Sequence, residues 1–122
     1  VTNKTRYESY KAEAAIAGGL IVKHGTADGT CALATAATDL LIGATEAAPN
    51  TDRAIGEMAE VHVGEFGEVR LGAGVTRGAA LTANAASKAI TTTTAGNRII
   101  GYAEQSGALD DLIKFRVAPG VY

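Results

Sequence analysis

Between Gly56 and Gly120 a glycine stands at nearly every corner between short runs of alternating apolar and polar residues, and this spacing constrains the fold more than any other feature. The runs are Val61–Val63, Glu68–Leu71, Lys88–Thr91, Arg98–Tyr102 and Leu112–Val117. Gly64 and Gly67, Gly72 and Gly74, Gly78, Gly96-Asn97 and Ser106-Gly107 separate them as turns. Short strands punctuated in this way predict an all-β fold, a small β-barrel or sandwich-like domain.

Period-two patterning supports the assignment. Ala59, Val61 and Val63 share one face and Met58, Glu60 and His62 the other, which turns His62 toward solvent or an interface. Ile113, Phe115 and Val117 face one side of the last run while Lys114 and Arg116 face away, the pattern of a half-buried antiparallel strand. Thr91–Thr94 continues a strand with β-branched residues, and Pro119-Gly120 ends the last one. Upstream, Gly18–Lys23, Thr30–Ala36 and Asp39–Thr45 read as strands, and Ala47–Asp52 as a loop containing Pro49 and Asn50. The alanine-rich stretch Leu81–Ala89 is assigned to strand and turn, with room for one helical turn. Residues 1–13 contain no glycine and no apolar stripe of helical period. They form an extended N-terminal arm preceding a single β domain over residues 14–122.

Core composition argues for assembly. The chain holds 25 alanines and 15 glycines against 27 residues of Val, Ile, Leu, Met and Phe together. A buried large aliphatic contributes about 1.5–3 kcal/mol and an alanine far less. Ordering each residue costs on the order of 1.5 kcal/mol, so a monomer gains from added burial against a partner. The net charge of −2 is scattered, with no block suited to nucleic acid or a membrane surface. The single Cys31 cannot form an intrachain disulfide. No apolar run approaches the roughly 20 residues of a membrane span, and the polar N-terminus lacks a signal-peptide core. These features predict a protein made in the cytoplasm.

No constellation for catalysis emerges. Gly72-Ala73-Gly74 lacks the third glycine of a dinucleotide loop, since residue 77 is Arg77. His24, His62 and Cys31 are the only imidazoles and thiol. They are too sparse for a metal site, and Cys31 reads as a small buried residue. Asp110-Asp111 and Glu65/Glu68 fall at expected turns. Neither catalytic residues, nor a cofactor, nor a metal is predicted. Phe66, at an expected hairpin tip, either folds back over its own sheet or serves as a contact anchor.

The serial order of motifs, above all Arg77-Gly78-Ala79-Ala80-Leu81-Thr82-Ala83 followed by Ile100-Gly101-Tyr102-Ala103-Glu104, resembles the capsid decoration (head cement) proteins of tailed bacteriophages. The similarity covers roughly residues 14–120. It implies a structural virion protein on the outer surface of an icosahedral head, bound to the major capsid protein and bracing the shell. Such proteins form homo-oligomers, usually trimers, and contact neither nucleic acid nor membrane. The resemblance also implies that the N-terminal arm adds a strand to the capsid. Tyr7 and Tyr10 would then bury their rings there, and Lys4, Arg6 and Lys11 would meet acidic groups. The alternatives are another virion component, such as a tail-tube or adhesin subunit, and a small trimeric β enzyme.

Overall fold

The structure, a computed structural model, describes residues 5–48 and 50–122. Lys4 and Pro49, both singled out in the sequence, lie outside the described residues. Among those residues the chain is all-β. Its strands are β1 (Thr5–Ala12), β2 (Ile21–His24), β3 (Thr30–Leu33), β4 (Leu41–Ala44), β5 (Met58–Arg70), β6 (Ala80–Ala83), β7 (Ala89–Thr91), β8 (Arg98–Ala103) and β9 (Leu112–Val121). They form one sheet in the order β4-β2-β3-β1-β5-β9-β8-β6-β7.

That sheet curls back on β5 from both ends. Thr45, just past β4, bridges Val61, and the Glu46 amide donates to the Glu60 carbonyl at 2.9 Å. At the other end Leu71 bridges Ala89 of β7, and the Gly72 amide donates to the Ala89 carbonyl at 2.8 Å. Two barrel-like curls thus share the long β5. Unit 1 comprises β1 to β4 with the first half of β5, and unit 2 the second half of β5 with β6 to β9.

The two units repeat one another pair by pair. Lys11↔Met58, Tyr10↔Ala59 and Glu8↔Val61 of β1/β5 recur as Arg70↔Leu112, Val69↔Ile113 and Gly67↔Phe115 of β5/β9. The antiparallel bridge Ile16↔Arg53 recurs as Val75↔Gly107, and the parallel pair Ala12↔Cys31 as Leu71↔Ala89. Gly19 (φ 81°) and Gly78 (φ 93°) take the same left-handed turn before β2 and β6. Even the forced glycines match. A Cβ on Gly43 would collide with the His62 carbonyl oxygen, and one on Gly101 with that of Arg116, the residue equivalent to His62.

Each unit closes on its own core. In unit 1, Ile16, Val22, Cys31, Ala59 and Val61 are buried together. In unit 2, Val69, Leu71, Leu81, Ile100, Ile113 and Phe115 form the larger cluster, joined by Ile21, Ala34 and Ala44 from unit 1. Burial holds the Cys31 thiol above its ordinary pKa, so it is an inert core residue as its sequence suggested.

Several expectations change. The segment expected as a free arm is strand β1 from Thr5 on, paired along its length with β5. Val61–Val63 and Glu68–Leu71 are not two strands around a hairpin; Met58–Arg70 is a single strand, with a register shift at Val63 and a left-handed Glu65 (φ 61°) in its middle. Gly64 and Gly67 lie within that strand, where they admit bulky neighbours rather than turn the chain. An ideal Cβ on Gly67 would lie 2.7 Å from His62 Cγ, and one on Gly64 would lie 3.2 Å from Arg6 Cβ. Ala80–Ala83 is strand β6 with no helical turn. Pro119-Gly120 does not end β9, which continues to Val121 against Arg98 of β8.

Candidate functional site

The outer face of the central strands, away from both cores, gathers the chemistry-bearing residues. On the β9-paired stretch of β5 the side chain of Val69 points to the unit 2 core, so Phe66 and Glu68 point outward. Phe66 pairs across the ladder with Arg116, and Arg116 with Tyr102 of β8. Lys114 Nζ sits 4.4 Å from the Phe66 ring centroid and Arg116 Cζ 6.0 Å from it, both within cation–π range. Arg116 also pairs with Glu104 at 3.5 Å. The Phe66 ring is therefore half-buried beneath two cations in the middle of a strand, where the sequence placed it on an exposed tip.

Unit 1 builds the same arrangement with different residues. Tyr7 stands where Phe66 stands, His62 where Arg116 stands, and Glu46 where Glu104 stands. The Tyr7 and His62 rings approach to 4.7 Å between centroids. His62 keeps the outward parity read from the sequence, yet it is only 4% exposed. Tyr7 covers one side of its ring and Gly67 leaves room on the other. Burial lowers its pKa to about 4, so it is neutral at pH 7. The Tyr7 hydroxyl is pushed above its ordinary range, first by burial and then by the Glu46 carboxylate.

The remaining candidates disperse. Arg6 lies on the strand next to Tyr7, its stem over Gly64. Lys11 is exposed at the far end of β1. Tyr10 turns the other way, against the unit 1 core and edge-on to His24 at 6.2 Å between centroids. Tyr7 and Phe66 thus come together beside His62, and Arg6, Tyr10 and Lys11 do not join them. Lys114, Arg116, Tyr102 and Glu46 were absent from the sequence candidates. Outward parity on β9 was the available signal for the first two.

Among the described residues, no three of His, Cys, Asp and Glu cluster as metal ligands. Asp110 is tied to Lys88, and Asp111 Oδ2 accepts from the Ala108 amide at 2.9 Å, so both serve the turn before β9.

In fold the chain is similar to the crystal structure of the head fiber gp8.5 N base of bacteriophage phi29, with a TM-score of 0.71 at 14% sequence identity. The likeness covers 94% of this chain and 95% of that one. No protein-family model matches the chain, and no curated protein matches its sequence.

Proposed function

We propose that this protein is a structural virion component that sits on the outside of a tailed-phage head, contacts the major capsid protein and braces the shell, with no enzymatic role. The observation that carries the reading is the likeness in fold, nearly end to end, to the base of a phage head fiber. The order of sequence motifs points independently to head decoration proteins. The two-unit architecture supports it further. A trimer of this chain carries six near-equivalent units, a number suited to a six-coordinate capsomer. Three linked copies convert modest single contacts into tight attachment through effective concentration.

Contact with the shell falls to the outer-face patch. Phe66, Tyr7 and Tyr102 supply aromatic area, and Lys114 and Arg116 meet acidic groups. Tyr7 is 38% and Tyr102 41% exposed, which leaves ring area free for such a contact. The neighbour's description as a fiber base favours one variant of this reading, in which the chain anchors a head-borne fibre rather than acting as cement alone.

Sedimentation with heads lacking the protein tests the proposal. The expected result is saturable binding, weakened by Phe66→Ala with Arg116→Ala while the unfolding midpoint stays near that of the parent. Absence of binding at micromolar protein would contradict it.

A further inference from the structure

We infer that a second copy of this chain docks head to tail, the free flank of unit 2 in one copy against the free flank of unit 1 in the next. The internal repeat supplies the template, because the two units of one chain already meet in a defined way. The Arg70 amide donates to the Gly19 carbonyl at 2.9 Å, and the Arg98 amide to the Ala37 carbonyl at 2.7 Å. Leu112 covers Gly19, its Cδ1 lying 3.4 Å from where a Cβ would stand.

Transposed through the repeat, Gly19 and Ala37 become Gly78 and Ala95 on unit 2, while Leu112 and Arg98 become Met58 and Leu40 on unit 1. All four transposed residues are uncovered. Met58 is 49% and Leu40 53% exposed. A Cβ on Gly78 would meet nothing within 4 Å, and Ala95 is exposed. Single exposed aliphatics are ordinary on any surface. Here two of them occupy the positions that the internal junction covers, and the opposite flank offers the small residues they would pack on. Leu40 is apolar where its equivalent is an arginine, so this flank is greasier than the internal one.

The docking does not copy the internal junction in full. In unit 2 the Gly19–Ile21 segment reaches between β5 and the β6–β7 turn, where the Ile21 amide donates to the Ser87 carbonyl at 2.7 Å. The unit 1 counterparts of Arg70 and Ser87 are Lys11 and Gly29, whose amide and carbonyl bond each other at 2.8 Å. That socket is shut. The second copy therefore packs on Met58 and Leu40 without inserting backbone, which makes the contact reversible. Because it joins different patches, it builds a ring or an open chain rather than a two-fold dimer. The inference rests on the proposed function only for the number of copies in the ring.

The mass of the full chain by sedimentation equilibrium at tens of micromolar tests it. The parent should be an oligomer. Leu40→Glu with Met58→Glu should shift it to monomer, and so should Ala95→Arg, each with an unfolding midpoint close to the parent's. Mixing the two variants should restore dimers, since each retains the flank the other lacks. A monomeric parent, variants that still oligomerise, or folded variants that stay monomeric when mixed would each overturn the contact. Head binding is scored separately: an oligomer that ignores heads removes the proposed function and leaves the contact, and a monomer that binds them does the reverse.

Discussion

Unit 1 places Val61 in its core where unit 2 places Phe115, buries His62 on its outer face where unit 2 exposes Arg116, and turns at Gly56 where unit 2 turns at Asp110. Their hydrogen bonds nevertheless agree. The Gly56 amide donates to the Ala12 carbonyl at 2.8 Å, and the Asp110 amide to the Leu71 carbonyl at 2.8 Å. Ahead of each turn's end a carboxylate accepts from the alanine amide three residues back, Glu57 from Ala54 and Asp111 from Ala108. The backbone ladder and the forced glycines define the unit, and the side chains filling it vary with what each unit must cover. Unit 2 holds the larger core cluster, and Ile21, Ala34 and Ala44 of unit 1 pack into it.

The sharpest way to break the equivalence is at its glycines. Gly43→Ala and Gly101→Ala each drive a Cβ into a carbonyl oxygen of the facing strand. Both should cost about 4 kcal/mol or more and leave little folded protein, measured by urea denaturation. A tolerated alanine at one site only would show that the two glycines do not serve the same purpose. Core truncation comes next and should be unequal. Phe115→Ala should destabilise by about 3–5 kcal/mol and Val61→Ala by about 2 kcal/mol.

The outer-face difference gives a pH dependence. Unfolded His62 takes up its proton near pH 6.5, whereas in the fold it does so only near pH 4. Falling pH therefore favours the unfolded chain across that window: the stability tied to neutral His62 is full above pH 6.5 and lost by about pH 4. The loss should amount to at most about 3 kcal/mol, and His62→Gln should flatten it. Glu13, held below the usual carboxylate range first by the Thr26 hydroxyl, and Asp39, held there first by the Thr35 amide, add their own losses from the ordinary carboxylate range downward, starting at the lower end of that window. The smallest effect belongs to the turn. Asp110→Gly relieves a left-handed φ of 69° but gives up the exposed ion pair with Lys88, and should change stability by less than about 0.5 kcal/mol.

Strand content was legible because alternation and turn residues act locally. Ile113 and Phe115 face the core and Lys114 and Arg116 face away, as the period of two requires. The continuity of β5 was not legible. Gly64 and Gly67 look like turn glycines, and only the distant Arg6 and the folded position of His62 reveal that they make room instead. The repeat itself was hidden because its equivalences, Val61 with Phe115 or His62 with Arg116, preserve hydrogen-bond geometry and not residue type. For the same reason the outer-face patch was half found: Tyr7 and Phe66 stood out as aromatics, while Lys114 and Arg116 looked like an ordinary solvated face. Burial of His62 depends on Tyr7 arriving from a strand that the sequence marked as a free arm.

Imaging heads reconstituted with the purified protein tests the account most directly. Added density is expected on the outer surface, centred on six-coordinate capsomers and divided into six similar lobes contributed by three chains. Heads that stay bare at saturating protein, or density without paired lobes in each chain, would contradict it.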